Sequence, residues 1–336
     1  MKNQVTTSRP RPLGAMAAAA ILALAVTTLG APAFAQSSNA AAAPMPDCSG
    51  STVGATLLSL QYPFYVTLNE SMAAEAQRLG VDLMPLDPLQ QSDTELTQVA
   101  DLITRQVDAI IMIPVDGTAS QTAAADVNAA GIPLIVVNTK LDRSFFDEGG
   151  TIATYVGSGE QSGEIQAHHI GRQGNPVRVI HLVDEDGGAS SDLRKEGFTK
   201  VMGEHRGFVI AFTLDGQGSR AEGKALMEDL LETYGFGAFD SVVSQNDEMV
   251  LGALSAIDAA GRRDEFKHLI GVGAGPDALK SIMDGGLTAS VFQDAVSQGV
   301  SAIQAACTVI AAEDVPGHTV IPFQMVTADN VDQYLQ

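Results

Sequence analysis

Four consecutive polar residues, Gln245 to Glu248, lie between two apolar segments of the chain. The preceding residues SVVS are typical of a buried strand, and the following residues MVLGAL have the spacing of an amphipathic helix. Asn246 or Asp247 can cap that helix, but one cap does not account for four polar residues. Because ligands of parallel α/β sheets bind beyond the carboxyl ends of the strands, we interpret this cluster as a loop that faces a polar ligand.

The sequence carries no pattern that indicates catalysis or a metal site. The six histidines lack ligand spacing, and the adjacent His168 and His169 point in different directions on a predicted helix. There is no G-x-S-x-G elbow, and GVGAG at residues 271–275 lacks the third glycine of a dinucleotide loop. DEDGG at residues 184–188 lacks the glutamate of a calcium loop, so we interpret it as a solvated loop. We predict a protein that is not an enzyme and has no cofactor and no metal.

The N-terminal segment has the order of a secretory signal peptide. Lys2, Arg9 and Arg11 precede an apolar run over residues 13–30, and a small-x-small site ends at Ala35. This order predicts a signal peptide over residues 1–35 that is cleaved after Ala35. The alternative is an uncleaved membrane anchor, which the high alanine content disfavours.

The rest of the chain is acidic. The net charge is −21, and the predicted cleavage removes basic residues only. Such a surface repels nucleic acid and anionic lipid, so we expect neither as a partner and no membrane insertion after cleavage.

Residues 36–50 are rich in Ala, Ser and Pro and are predicted to form a flexible leader. Cys48 and Cys307 are the only cysteines; in an oxidising compartment they can form a disulfide, and the alternative is two free thiols.

Short apolar runs alternate with helical segments from residue 52 onward. The runs are TVGATLL, VDLMPL, DAIIMIP, IPLIVVN, VRVIHLV, FVIAFTL, SVVSQ and HLIGVG. Continuous apolarity is typical of strands buried on both faces, and alternation with helices predicts parallel sheets covered by helices. Gly80 is predicted to close the first helix, and Ser92 and Glu95 have the spacing of a capping box. We predict an α/β fold with two doubly wound parallel-sheet lobes.

Four segments resemble the ribose-binding family of periplasmic sugar-binding proteins. They are QYPFY at 61–65, IPVD at 113–116, GIPLIVVN at 131–138 and QNDEMVLGAL at 245–254. The resemblance runs from about Ser51 to the C-terminus and implies the periplasmic binding protein type I fold, in which two lobes joined by a three-crossing hinge close on a ligand. The implied N-terminal lobe is 51–157 plus 294–322, the C-terminal lobe is 158–293 plus 323–336, and the crossings lie near 157–159, 293 and 323–325.

The resemblance also implies the ligand-binding residues. Phe64 and Tyr65 correspond to aromatics that stack on a sugar ring; we expect Pro63 to keep them in a loop, the alternative being core packing at a helix start. Asn246 corresponds to an asparagine that binds sugar hydroxyls, and Gln293 to a glutamine at the second crossing. The whole implied set is Ser59, Tyr62, Phe64, Tyr65, Asn138, Asp192, Arg194, Asn246 and Gln293.

The chain departs from the ribose-binding pattern at charged positions. Asn138 and Thr139 replace an Asp-Arg pair, and Gly273 replaces an acidic residue. Asp192 aligns with an expected arginine, although Arg194 lies two residues further on. Two further departures are Ile113 in place of an asparagine and Gly218 near an expected aromatic. Because a charged hydrogen bond contributes about 1.5–3 kcal/mol, we expect a ligand other than ribose.

The function that the resemblance implies is that of the substrate-binding protein of an ABC importer. We expect a monomer in the periplasm that binds a small sugar or polyol between its lobes and delivers it to an inner-membrane permease. One alternative is a periplasmic sensor that feeds a chemoreceptor or a histidine kinase. Another is a receptor for a less polar, non-sugar solute that tolerates Ile113 and Gly273.

Overall fold

The computed structural model describes most of the chain from residue 45 onward. The described residues are 45–139, 141, 152–156, 159–172, 177–184, 189–313, 315 and 317–335. The predicted signal peptide, residues 36–44 of the predicted leader and residues 185–188 of the DEDGG segment therefore lie outside the described residues.

Strands and helices alternate along the described chain. The strands are β1 (Thr52–Thr56), β2 (Asp82–Leu86), β3 (Ala109–Met112), β4 (Leu134–Val137), β5 (Ile152–Val156), β6 (Val177–Val183), β7 (Phe208–Asp215), β8 (Ser241–Ser244), β9 (His268–Gly273), β10 (Ala289–Phe292) and β11 (Gln324–Thr327). The helices are α1 (Pro63–Leu79), α2 (Ser92–Thr104), α3 (Ala119–Ala129), α4 (Gly159–Gly171), α5 (Ala189–Glu204), α6 (Arg220–Thr233), α7 (Asp247–Ala259), α8 (Pro276–Met283) and α9 (Ala295–Ile310), with 3-10 turns at Arg263–Glu265 and Val331–Gln333.

The strands form two separate sheets. The first sheet has the order β2-β1-β3-β4-β5 and is parallel throughout. The second has the order β11-β10-β9-β8-β6-β7, and β11 alone runs antiparallel to its neighbour. Helices connect the successive parallel strands of each sheet, except between β4 and β5, where most of the connecting residues lie outside the described ranges. The prediction of an α/β fold with two parallel-sheet lobes is confirmed.

Burial follows the position of each strand in its sheet. Every residue of β3, β4 and β8 is buried, as their continuous apolar runs predicted. The edge strand β7 contains no fully buried residue. The expectation that FVIAFTL is buried on both faces is therefore wrong, because helices cover the centre of a doubly wound sheet more completely than its edge.

Helix α9 connects the two sheets. It follows β10 of the second sheet, yet its residues Ile303 and Ala306 share a buried cluster with Val53 of β1 and Leu68 of α1. The chain then returns to the second sheet at β11. Among the described elements, the chain thus passes between the sheets after β5, after β10 and before β11.

A disulfide fixes α9 to the start of the first sheet. The Sγ atoms of Cys48, which precedes β1, and Cys307, on α9, are bonded across a sequence separation of 259 residues. Both cysteines are buried in the same cluster of the first sheet. Of the two alternatives that the sequence left open, the structure has the disulfide.

Helix boundaries agree with one expected signal and not with another. Gly80 closes α1 in the left-handed conformation, with φ 73°, as predicted. The capping box at α2 is wrong: Gln91 occupies the N-cap position without a side-chain capping bond. Glu95 is instead fully buried and accepts hydrogen bonds from the Ser120 hydroxyl (2.5 Å) and the Val115 N–H (3.3 Å). Its carboxylate therefore binds the loop after β3 and does not cap α2.

No helix in the described ranges has the length and apolarity that a membrane span needs.

Candidate ligand-binding site

A cavity opens where strands of both sheets end. From the first sheet it is lined by Leu58, Tyr62, Phe64, Tyr65, Gln90, Pro114 and Val115, and from the second by Asp184, Ser190, Ser191, Arg194, Asn246, Val272, Gly273 and Gln293. Each of these residues follows the carboxyl end of a strand or, in the case of Val272 and Gly273, forms that end. This is the position at which parallel α/β sheets bind ligands.

The aromatic residues enter the cavity from the first turn of α1. The helix begins at Pro63, so the expectation that Pro63 keeps Phe64 and Tyr65 in a loop is wrong: proline is well suited to the first helical position. The rings of Phe64 and Tyr65 meet edge to face, with centroids 5.1 Å apart. Tyr65 is also part of the buried cluster of the first sheet. At the start of α1, Phe64 and Tyr65 therefore both pack against the core of the first sheet and line the cavity.

A chain of hydrogen bonds runs along the cavity from one sheet to the other. The Asn138 amide donates to the Tyr65 hydroxyl (3.4 Å), and Asn138 Oδ1 accepts from Gln293 Nε2 (3.1 Å). Gln293 Oε1 in turn accepts from Arg194 Nη2 (3.1 Å). All four side chains are buried. Asn138 itself lies behind the lining residues, in the left-handed conformation with φ 68°, which asparagine tolerates better than most residues.

Arg194 supplies the positive charge of the cavity. Its Nη1 donates to the main-chain oxygen of Gln245. Burial lowers the pKa of the Arg194 guanidinium, while Tyr65 and Asp184 oppose that shift; an arginine nevertheless stays protonated in proteins. Its buried Nε has no hydrogen-bond partner among the described residues. Arg194 therefore lines the cavity while one of its N–H donors lacks a partner in the described part of the chain.

Asp192 does not line the cavity. It lies on the same helix as Arg194, but its side chain is 57% exposed and faces Lys195 at 3.8 Å. Two residues are separated by about 200° around an α-helix, so the two side chains lie on opposite faces of α5. The expectation that Asp192 contacts the ligand is not met by this geometry, and Arg194 occupies the cavity in its place.

Asn246 lines the cavity and also caps α7. Its Oδ1 accepts from the main-chain N–H of Met249 (2.9 Å), and its Nδ2 donates to the Gly218 oxygen (3.2 Å). The capping bond fixes the side chain at the strand end. One of the two Nδ2 protons is therefore used within the protein, and the amide has one further proton to offer.

The neighbours of Asn246 have separate partners. Gln245 is fully buried, and its Oε1 accepts from the Asp184 N–H (2.9 Å) and the Ser191 hydroxyl (2.8 Å). Glu248 forms a bidentate pair with Arg220 on α6, at 2.8 Å for both contacts. Residues of the polar cluster therefore bind partners that are distant in the chain. Of its four members, only Asn246 lines the cavity.

Tyr62 approaches the second sheet across the cavity. Its hydroxyl donates to Gln90 Oε1 on its own side (2.9 Å). A Cβ placed on Gly218, in the loop after β7, would lie 2.8 Å from Tyr62 Cε1 and 2.7 Å from Asp184 Oδ1. The Tyr62 ring therefore fills space that a side chain at position 218 would need, which explains how glycine can stand near the position of an expected aromatic.

Two other sequence expectations meet different surroundings. Ser59 is buried outside the lining set, and its hydroxyl accepts from the Gln61 N–H (3.2 Å). Ile113 is fully buried in the core of the first sheet. The expectation that Ile113 makes the cavity less polar is wrong, because its side chain packs into that core.

Sequence reasoning missed several lining residues. Asp184 was interpreted as part of a solvated loop, although its position directly after the predicted strand VRVIHLV was a usable signal. Gln90 follows Leu89, and both have left-handed φ angles, 59° and 54°; nothing in the sequence indicates that conformation. Pro114 and Val115 belong to the IPVD segment but were not singled out.

The chemistry of the cavity suits an uncharged, hydroxyl-bearing solute. Asp184 and Arg194 are the charged residues in the lining set, and they have opposite signs. Aromatic faces and amides provide the remaining contacts, a combination typical of small-molecule sites. Among the described residues, no group of three or more His, Cys, Asp or Glu side chains could hold a metal ion.

Comparison with known proteins identifies a family and relatives for this chain. The family model described as the periplasmic binding protein domain matches residues 53–314. A ribose import binding protein of Bacillus subtilis is 32% identical over 82% of this chain and 87% of its own length. A putative rhizopine-binding protein of Rhizobium meliloti is 32% identical over 84% and 92%.

A solved structure extends the comparison to the fold. An ABC transporter solute-binding protein of Bacillus halodurans with bound myo-inositol is 32% identical, covers 86% of this chain and 98% of its own, and superposes with a TM-score of 0.79. These relatives are binding proteins, which confirms the prediction that the chain is not an enzyme. The cleft between two parallel-sheet lobes and the match over most of the sequence lead to one conclusion: this chain belongs to the periplasmic binding protein family.

Proposed function

We propose that this protein is the periplasmic substrate-binding component of an ABC importer. It binds a small, uncharged sugar or polyol in the cavity between its lobes and delivers it to a membrane permease. The observation that carries the proposal is the set of polar side chains from both sheets that converge on one cavity, with charges that balance. Support also comes from the relatives, which include a ribose import binding protein and a structure with bound myo-inositol.

Each ligand contact has a chemical role in this proposal. Phe64 and Tyr65 pack against the C–H face of the ligand. The guanidinium of Arg194 and the carboxylate of Asp184 bind ligand hydroxyls, as donor and acceptor. Asn246 and Gln293 add neutral amide contacts. Tyr62 lies at the mouth of the cavity, and Asn138 and Ser59 support the lining from behind.

Ligand binding in this proposal closes the two lobes about the three chain crossings. The N-terminal lobe comprises 51–157 plus 294–322, and the C-terminal lobe comprises 158–293 plus 323–336. The packing of α9 on the first sheet and the return of the chain to β11 support this division. The first crossing, near residues 157 and 158, lies outside the described residues.

Calorimetric titration of the mature chain, residues 36–336, tests the ligand class. The panel contains myo-inositol, D-ribose, xylitol and D-allose as neutral polyols and sugars, and D-glucuronate and L-glutamate as charged solutes. We expect micromolar or tighter binding of at least one neutral member, a range typical of specific small-molecule sites. Binding of a charged solute alone, or of no panel member, would contradict the proposal.

Export and transport need separate measurements. N-terminal sequencing of the protein isolated from the periplasm is expected to begin at Gln36. Light scattering is expected to give the mass of a monomer. Deletion of the gene is expected to abolish uptake of the identified radiolabelled ligand; undiminished uptake would exclude the transport role even if the ligand binds.

A further inference from the structure

Asp247 is a buried carboxylate next to the cavity, although it does not line it. Asp247 follows Asn246 in the chain, and it is 8% exposed. Oδ1 accepts from the Ser290 hydroxyl on β10 (2.6 Å), and Oδ2 accepts from the Gly275 N–H after β9 (3.0 Å). The capping of α7 is already provided by Asn246, so the hydrogen bonds of Asp247 serve other strands.

The end of β9 is shaped around this carboxylate. A Cβ on Gly271 would lie 2.2 Å from Asp247 Oδ1, and one on Gly273 would lie 2.9 Å from Oδ2. Gly273 also has φ +129°, a conformation that residues with a side chain rarely adopt. The two glycines therefore permit the carboxylate to lie directly against the strand end that forms part of the cavity wall.

Three lining residues depend on these contacts. Asn246 precedes Asp247 in the chain. Gly273 lies beneath its carboxylate, and the Gly273 oxygen accepts from the main-chain N–H of Gln293 (3.4 Å). Gln293 follows Ser290 by three residues at the end of β10. One side chain thus connects the ends of β8, β9 and β10.

A neutral residue would be easier to bury at this position. Burial raises the pKa of Asp247 to about 6, although the hydrogen bonds from Ser290 and Gly275 act in the opposite direction. A buried carboxylate is unfavourable unless its oxygens are fully hydrogen-bonded. Asp247 receives part of this compensation from the Ser290 hydroxyl on β10 and the Gly275 N–H after β9, so its burial depends on both groups staying in their observed places.

We propose that Asp247 is a positioning residue that sets the affinity and selectivity of the cavity by fixing Asn246, Gly273 and Gln293 relative to one another. The affinity part of this inference rests on the proposed function, since it requires that a sugar or polyol binds in the cavity. The positioning part does not depend on any ligand.

Two variants and one control test the inference in the mature chain. Asp247→Ala removes both acceptors, Asp247→Asn retains one acceptor and the shape of the side chain, and Asp258→Ala alters an exposed carboxylate at the other end of α7. The first readout is amide hydrogen exchange, resolved by NMR, at Gly275, at Gln293 and at Ala274, whose N–H donates to the Ser290 hydroxyl oxygen (3.0 Å). The second is calorimetric affinity for myo-inositol and for xylitol.

The expected pattern separates positioning from general destabilisation. In Asp247→Ala, exchange at the three amides accelerates about tenfold or more, and the Kd for the bound probe rises about tenfold or more with a changed ratio between the two probes. In Asp247→Asn, both changes stay within about threefold. Asp258→Ala matches the wild type. Amides in the centre of β6, such as that of Ile180, exchange as in the wild type in all variants.

Other outcomes contradict either the positioning role of Asp247 or the proposed function. Unchanged exchange at Ala274 and Gly275 in Asp247→Ala overturns the inference. Faster exchange throughout the second sheet, with affinity loss equal to the unfolded fraction, assigns Asp247 a purely structural role and also overturns it. If the wild type binds neither probe nor any panel solute, the proposed function is wrong. The exchange data alone then test whether Asp247 is a positioning residue. If Asp247→Ala does not fold, Ser290→Ala replaces it, with an expected effect of about threefold in the same direction.

Discussion

The side-chain amide of Gln293 donates a 3.1 Å hydrogen bond to Asn138, 155 residues earlier in the chain. Asn138 follows the last residue of β4 in the first sheet, and Gln293 follows β10 in the second. The other end of the Gln293 amide accepts from Arg194. One neutral side chain therefore joins the two lobes and orients the cation of the cavity.

Replacement of Gln293 tests this connection. In Gln293→Ala, Arg194 loses an acceptor and Asn138 loses a donor in a buried environment, so we expect the Kd for the bound ligand to rise about 10- to 100-fold. Calorimetry measures the change. Gln77→Ala, on an exposed face of α1, is the matched control and is expected to bind as the wild type does. Equal affinity of Gln293→Ala and wild type would show that the lobes do not depend on this bond.

Arg194 and Asp192 form a matched pair on one helix. Arg194→Ala removes the buried donor and leaves two acceptors unpaired, so we expect about 100-fold weaker binding or more. Asp192→Ala changes an exposed side chain and is expected to alter the Kd by no more than about twofold. Loss of binding in Asp192→Ala with retention in Arg194→Ala would favour the family alignment over the geometry of the cavity.

Gly218 provides a test of lobe closure. Alanine at 218 must adopt φ +65° and brings a Cβ against Tyr62 and Asp184, so we expect faster ligand dissociation in stopped-flow measurements. Gly237→Ala is the control, because Gly237 has φ +73° with no atom within 4 Å of a new Cβ. Both variants carry a similar backbone strain of about 1 kcal/mol. Tyr62→Ala combined with Gly218→Ala is expected to relieve the part of the clash that involves the Tyr62 ring. Equal dissociation rates in the two glycine variants would contradict this account.

The titration of Asp247 predicts how stability depends on pH. Its pKa is raised from 3.8 to about 6 in the folded protein, so the protonated form stabilises the fold fully below about pH 4, and this contribution is lost as the pH rises through 6. The full shift corresponds to on the order of 3 kcal/mol. Urea unfolding at pH 4 to 8 is expected to show that the free energy of unfolding of Asp247→Asn, relative to wild type, increases over that interval. Parallel pH profiles would contradict the prediction.

The disulfide is expected to affect stability and not ligand binding. Simultaneous Cys48→Ala and Cys307→Ala substitution is expected to lower the free energy of unfolding by about 2–5 kcal/mol, since the bond closes a long loop in the unfolded chain. Both residues lie in the core of the first sheet and outside the cavity lining, so the Kd should stay as in the wild type. Reduction of the wild-type protein with dithiothreitol should reproduce the effect. A double variant as stable as wild type would show that the bond adds nothing.

The central strands could be predicted from sequence because strands that are buried on both faces consist of continuous apolar runs. β10 (Ala289–Phe292) escaped this reasoning because ASVF contains only two large apolar residues. It is nevertheless buried because β9 and β11 flank it and helices cover it. Short strands of this kind owe their existence to neighbours that are distant in the chain.

The site could be located from sequence but not resolved. The polar cluster after SVVS correctly indicates a strand end near the cavity, yet the roles of Gln245 and Asp247 depend on Ser191, Gly275 and other remote residues. The choice between Asp192 and Arg194 depends on how α5 is rotated about its axis. That rotation is set by packing against neighbouring helices, and local sequence does not contain it.

The late position of α9 in the chain has a consequence for biosynthesis. A growing polypeptide that ends before residue 295 contains every strand of the first sheet but lacks the helix that covers Val53 and Leu68. The first lobe therefore cannot complete its core until nearly the whole chain has been made, and contacts over such long sequence distances form slowly. In the export that we propose for this protein, the same delay would lengthen the time during which the first lobe is still unfolded.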